Sequence, residues 1–156
     1  MTVIAEAGRG NLQRASVAVT FDGTSGLGLA ASTTTFFTVT GEVLIIAIVP
    51  YVTATLTQNL GTPSLALGVV NSTSFFIGAT TATALTTGEF WTEATGGGTA
   101  NAASALPVQG VAAPILTNVA CTSNIVGTVG GTNNINGGSL RIDVWYLPLS
   151  SDGLVA

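Results

Sequence analysis

The sequence predicts an all-β fold: a single β-sandwich or jelly-roll of about eight strands, preceded by an extended N-terminal arm. Two observations predict the fold class. Short segments rich in Val, Ile, Thr and aromatic residues alternate with turns containing Gly, Asn and Pro. No window carries an apolar stripe at helical spacing, and the helix formers Lys, Glu, Gln and Arg are nearly absent. The length of 156 residues fits one domain, and the lack of an internal repeat disfavours a propeller or solenoid.

The chain divides into an unpatterned arm, residues 1–14, and a β domain, residues 15–156. Residues 15–21 alternate, which places Val17, Val19 and Phe21 on one face before a turn at Asp22-Gly23. The further predicted strands are residues 33–40, 42–56, 64–70, 74–78, 90–94, 118–129 and 139–147. We expect loops at residues 96–105 and 130–138, where Gly, Ala and Asn dominate.

The segment 139–147 is the clearest strand, and its two faces differ in chemistry. Because side chains alternate along a strand, one face is apolar and belongs to the core. It carries Leu140, Ile142, Val144 and Tyr146. The other face carries Arg141, Asp143 and Trp145, and the two charges can pair along the strand. Trp145 then points away from the core, either under a loop of its own domain or as an anchor in an interface, where Trp and Arg are enriched.

Three pairs of adjacent aromatic residues lie in predicted strands: Phe36-Phe37, Phe75-Phe76 and Phe90-Trp91. In an extended segment one member of each pair faces the core and the other faces outward. We therefore take Phe37 and Trp91 as candidate contact residues, since exposed apolar groups mark interaction sites. Residues 43–49 are apolar on both faces, which fits a central strand covered on its outer side by a loop or another subunit.

Charge is unusually scarce: 6% of residues are charged, the net charge is −4, and Lys and His are absent. Hydroxyls and amides take the polar positions, and they cost less to bury than charges. This composition indicates a protein in contact with neighbouring subunits, and we expect a homo-oligomer, most simply a trimer. The acidic balance and the lack of a basic cluster argue against nucleic acid as a partner.

The hydropathy does not indicate a membrane protein. The longest apolar run, residues 43–49, ends at Pro50, whereas a spanning helix needs about 20 apolar residues. Residues 1–12 include Glu6, Arg9 and Gly10 and contain no apolar core of a signal peptide. We therefore expect neither a membrane partner nor secretion.

No motif indicates catalysis, a cofactor or a metal. Without His, a Ser-His-Asp triad or a His-ligated metal is impossible. Residues 26–31 match G-x-G-x-x-A, but a β-like segment follows where a nucleotide site needs a helix. Glu89 and Glu93 resemble a paired-carboxylate site, yet solvated or turn-end roles fit them better. Cys121 lies among small and apolar residues and is expected to be a buried hydrophobe.

Three stretches carry a resemblance to a known group: residues 36–44 (FFTVTGEVL), 88–91 (GEFW) and 145–153 (WYLPLSSDG). In order and spacing they resemble a family of small bacteriophage proteins that are often encoded near head genes and commonly lack an assigned role. The resemblance covers the chain from about Thr33 to its end. It implies a virion component and brings no catalytic residues with it.

A capsid decoration, or cement, protein is the leading interpretation of this resemblance. Its partners would be the major capsid protein or other virion proteins. The protein would be made in the host cytoplasm and reside on the capsid surface of the virion. The alternative is a tail or head-fibre component with a host- or glycan-binding β domain.

The arm holds two of the three basic residues, Arg9 and Arg14. Arginine forms bidentate pairs with carboxylates and suits an intersubunit contact, so we expect the arm to dock on a neighbouring subunit or on the shell. The alternative is a frayed terminus. The candidate assembly residues are therefore Arg9, Arg14, Phe37, Trp91 and Trp145.

Overall fold

The computed structural model describes residues 12–24, 27–93, 100–102 and 118–156, and almost all of its regular structure is β. The first half of the chain forms β1 (Gln13–Thr20), β2 (Thr33–Phe37), β3 (Val39–Thr40), β4 (Val43–Gln58), β5 (Ser64–Val69) and β6 (Ser72–Thr81). A 3-10 turn (Ala82–Ala84) follows, and then β7 (Trp91–Glu93), β8 (Ala100–Ala102), β9 (Val119–Cys121), β10 (Ile125–Gly130), β11 (Ile135–Pro148) and β12 (Leu154–Val155).

Eight of these strands form two four-stranded antiparallel sheets, ordered β1-β11-β4-β9 and β2-β10-β5-β6. When these eight are counted in chain order, the first pairs with the last, the second with the seventh, the third with the sixth and the fourth with the fifth. This is one long antiparallel hairpin rolled into two layers, the arrangement of a jelly-roll. The predicted all-β class with about eight strands is confirmed.

One hydrophobic core lies between the two sheets. The first sheet contributes Val52, Leu140, Ile142 and Val144, none of which has measurable exposure. The second contributes Leu65, Leu67, Phe76 and Ile125. The inward face predicted for residues 139–147 is confirmed, because Leu140, Ile142, Val144 and Tyr146 are all buried. Apolar and polar side chains alternate along the strand because only one face of each sheet packs against the core.

The two longest strands, β4 and β11, pair along nearly their full lengths and bend together. Their register shifts around Gly137 and Gly138, at the end of β11 that sequence analysis assigned to a loop. Gly138 has φ +98°, and a Cβ there would lie 2.5 Å from the carbonyl oxygen of Thr55. A residue without a side chain is therefore required at this bend.

Several strand boundaries differ from those predicted. β1 begins at Gln13, two residues early, so Gln13 and Arg14 belong to the sheet rather than to an arm. Residues 1–11, the rest of the predicted arm, lie outside the described residues. β8 occupies part of the segment expected to be a loop, where it pairs with β7. Residues 118–129 form two strands rather than one.

The expectation that Phe37 and Trp91 face outward is wrong. Phe37 is 2% exposed because β2 contains a bulge opposite β10: Phe37 pairs with Ile125 and Thr35 with Val126, which leaves Phe36 as the extra residue. A bulge interrupts the alternation, so both phenylalanines turn inward. Two pairs divide into an inward and an outward member: Phe75 is exposed and Phe76 buried, and Phe90 is partly exposed beside the buried Trp91.

Trp91 has no exposed surface, and its indole Nε1 donates a hydrogen bond to Thr80 Oγ1 at 2.8 Å. It is buried because β9 covers only the first three residues of β4. Residues 85–90 pair with the uncovered part of β4 through hydrogen bonds from Val52 N to Glu89 O and from Leu56 N to Leu85 O. Through this pairing the chain covers the open edge of the sandwich, and Trp91 lies at that edge.

Candidate functional site

The outer face of the first sheet carries an ion-pair cluster centred on Asp143 of β11. Arg14, on the neighbouring strand β1, donates from Nε at 3.1 Å and from Nη2 at 2.6 Å to Asp143 Oδ1. Arg141, two residues along β11, donates from Nε to Asp143 Oδ2 at 3.1 Å. The pairing of Arg141 with Asp143 that the strand pattern predicted is confirmed, and β1 adds a second arginine to it.

Asp143 is a buried carboxylate with two half-exposed partners. Its side chain is 4% exposed, against 52% for Arg14 and 49% for Arg141. Burial raises the pKa of Asp143, but hydrogen bonds from Ser16 and Arg14 and the charges of both arginines outweigh it, so the pKa lies below the ordinary 3.8. The carboxylate is therefore ionised at neutral pH and holds both guanidinium groups in place.

Aromatic rings support the two arginines from the sides. The Arg14 guanidinium lies 5.6 Å from the ring centroid of Trp145, and that of Arg141 lies 5.4 Å from the ring of Tyr51. Tyr51 in turn contacts Phe90, with ring centroids 5.2 Å apart and planes tilted by 56°. We call this row the arginine–aromatic surface. Its members, each in contact with the next, are Trp145, Arg14, Asp143, Arg141, Tyr51 and Phe90.

The surface is prepared to bind an anionic or polar group. Each arginine is fixed by an ion pair and a ring contact, so little side-chain freedom remains to be lost on binding. Arg141 bonds Asp143 through Nε alone, and Arg14 does so through Nε and Nη2, so each guanidinium keeps N–H donors that are not used by Asp143. Two fixed positive forks beside aromatic rings are typical of protein contact sites.

The structure brings together two of the predicted assembly residues, Arg14 and Trp145, and adds Tyr51 and Phe90, the other member of the pair Phe90-Trp91. Tyr51 lies in β4 and Phe90 in the segment before β7, and an isolated bridge joins them, a pairing that no local pattern encodes. Arg9 lies outside the described residues, and Phe37 and Trp91 belong to the core. Whether Arg14 and Trp145 contact another subunit stays a prediction.

A separate, concave feature lies where the β4–β5 and β10–β11 turns meet. It is a cavity of about 210 Å³ lined by Asn59, Leu60, Thr132, Asn133, Asn134 and Asn136. Gln58 Oε1, next to this lining, is buried and accepts no hydrogen bond from the described residues. Asn134 is used structurally, since its amide bonds Ala30 N and Gly23 O.

The residues considered for chemistry take structural roles where they are described. Glu89 Oε2 accepts a hydrogen bond from Thr86 N at 3.0 Å, as a turn-end carboxylate does. Cys121 is buried, and its thiol donates to Ser123 O. Among the described residues no group of three or more His, Cys, Asp or Glu could hold a metal, and no helix has the length and apolarity to cross a membrane.

Comparison with known proteins defines the fold. No protein-family model matches the sequence, and no curated protein matches it significantly. One solved structure matches nearly end to end: a chain of the structure described as the cyanophage Pam1 capsid asymmetric unit. The alignment covers 95% of this chain and 93% of that one, with a TM-score of 0.52 and 17% sequence identity. At this identity the likeness establishes a shared fold.

Proposed function

We propose that this protein is a bacteriophage virion structural protein, and specifically a capsid decoration, or cement, protein. The observation that carries the proposal is the end-to-end fold match to a chain of a cyanophage capsid asymmetric unit. The low charge and the arginine–aromatic surface support it, because both suit a protein that buries polar surface against neighbours. Its partners would be the major capsid protein and further copies of itself, most simply in a trimer.

A decoration protein stabilises a shell through the surface area that it buries against the capsid subunits, and not through a chemical reaction. Each copy that bridges capsid subunits buries apolar and hydroxyl surface, and the contribution is multiplied over all copies on the shell. No catalytic step is part of the proposal. The arginine–aromatic surface would supply directional contacts within a largely uncharged interface.

Imaging the intact particle tests the location. We expect hundreds of copies of the protein on the outside of the head in a cryo-electron microscopy map of the virion. A second measurement is the mass of this protein per particle, which gives the copy number independently of the symmetry averaging used in the map. A few copies at a tail tip, or none on the particle, would contradict the decoration role.

The second candidate is a tail or head-fibre component that binds a host glycan. The amide-lined cavity favours it, because free amide groups such as those of Asn59 and Asn136 hydrogen-bond sugar hydroxyls. The rings of Tyr51 and Phe90 are tilted and do not form a flat platform for stacking, which weighs against glycan binding there. Location at the tail would favour this candidate over decoration.

The N-terminal arm has its own test. We expect deletion of residues 2–11 to leave the fold intact, because β1 begins at Gln13, and to weaken attachment to the particle, because it removes Arg9. The deletion must stop before Gln13, which accepts a hydrogen bond from Tyr146 Oη at 2.7 Å. Binding to undecorated particles, measured by co-sedimentation, should also weaken at high salt. Equal binding of the truncated and full chains would show that the arm is not an anchor.

A further inference from the structure

The arginine–aromatic surface has a net positive charge on a chain of net charge −4. Two positively charged guanidinium groups share the single carboxylate of Asp143. One positive charge therefore remains, with N–H donors at the surface. The exposed carboxylates of Glu42 and Asp152 have no basic partner among the described side chains.

Glu42 and Asp152 lie together at the end of the sheet where β4 begins and β11 has ended. Ser150 joins them: Glu42 N donates to Ser150 Oγ at 2.8 Å, and Ser150 Oγ donates to Asp152 Oδ1 at 2.7 Å. Gly41, with φ +63°, makes room, since a Cβ there would lie 2.5 Å from Asp152 Oδ1. This acidic corner (Glu42 and Asp152) is thus held in place by the backbone turn.

The corner and the arginine–aromatic surface cannot pair within one chain. Trp145 pairs in register with Ala47, five residues along β4 from Glu42. At about 3.3 Å per residue this is roughly 16 Å. Arg141 of β11 is farther away, because it pairs with Tyr51, further along β4. Pairing between the two charged features therefore requires two molecules.

We propose that the arginine–aromatic surface of one subunit binds the Glu42 and Asp152 carboxylates of a second copy of this chain. Two copies of the arginine–aromatic surface repel each other, so a two-fold contact of that surface with itself is disfavoured. A contact between two different faces is heterologous, and it closes into a ring when the rotation between subunits allows. This rests on the proposed self-association and is independent of attachment to a shell.

Sedimentation velocity of the purified full chain tests the contact. The double variant Glu42→Gln and Asp152→Asn removes both charges with little change in shape, and Asp22→Asn is the control, an exposed carboxylate at the opposite end of the sheet. We expect the double variant to raise the dissociation constant about tenfold or more, with Asp22→Asn close to wild type. Arg141→Gln should match the double variant, since Arg14 still holds Asp143.

The expected contact also weakens as salt rises, because both partners are partly exposed. Circular dichroism and thermal unfolding of each variant separate loss of contact from loss of fold. Wild-type affinity in the double variant would overturn the proposal while leaving self-association intact. A wild-type chain that stays monomeric at about 100 μM in low salt, where surface charges act most strongly, would overturn both. Neither result bears on the particle location, which imaging decides separately.

Discussion

Replacing Trp91 by alanine is expected to lower the free energy of unfolding by about 3 to 5 kcal/mol, the range for removing a buried aromatic side chain. The side chain has no exposed surface, and its loss leaves both a cavity and a Thr80 hydroxyl without the indole donor. A loss of this size is a large fraction of the free energy of unfolding of a typical domain. Urea unfolding followed by circular dichroism measures the change.

Two variants identify the cause of the Trp91 effect. Trp91→Phe keeps most of the buried volume but loses the Nε1 donor, so we expect an intermediate loss. Trp145→Ala removes the other tryptophan, which is only partly buried and lies on the outer face, and should cost clearly less. If Trp91→Ala and Trp145→Ala destabilise equally, the assignment of Trp91 to the core is wrong.

Replacing Asp143 by alanine is expected to cost about 3 kcal/mol, at the low end of the range for breaking a buried ion pair. The low end applies because both arginines are half exposed and solvent screens their mutual repulsion after the carboxylate is lost. Asp152→Asn is the matched control, since that carboxylate is exposed, has no arginine partner among the described residues and accepts a hydrogen bond from Ser150. Comparable losses in the two variants would contradict the role assigned to Asp143.

The same residue gives the stability a predictable pH dependence. Because the folded-state pKa of Asp143 lies below its unfolded value near 3.8, the ionised form favours the folded state. Its contribution is fully present above that value and is lost as the pH falls through the lower, folded-state pKa. Chemical unfolding at a series of pH values below 5 gives the free energy of unfolding of wild type and of Asp143→Asn. As the pH falls, this free energy should decline less steeply in the variant. An equally steep decline in wild type and variant would exclude Asp143 as the source of the pH dependence.

The sequence alone predicts the features that depend on the simple alternation of side chains along a strand. The faces of β11 follow the period of two without interruption between Leu140 and Tyr146, so the core residues and the pairing of Arg141 with Asp143 could be predicted. The register of β1 against β11, which adds Arg14 to the cluster, is a long-range pairing, and no local pattern reveals it.

The two wrong expectations have different causes, one local and one long-range. Phe37 was misassigned because a bulge in β2 is invisible in a run of threonines and phenylalanines. Trp91 was misassigned because its burial depends on how far β9 extends along β4, which is a property of the assembled sheet. The corrected candidate surface therefore consists of side chains on three separate strands and on the segment before β7.

The rolled-hairpin topology has a consequence for synthesis. β11 lies between β1 and β4 in its sheet, although it is the last of the eight strands to be translated. Until residue 148 has emerged from the ribosome, β1 has no partner and β4 lacks the neighbour that pairs with it along most of its length. Such non-local pairing slows folding and leaves apolar strands unpaired while the chain is incomplete. This sheet can therefore be completed only after β11 has emerged, and we expect chains truncated before β11 to aggregate.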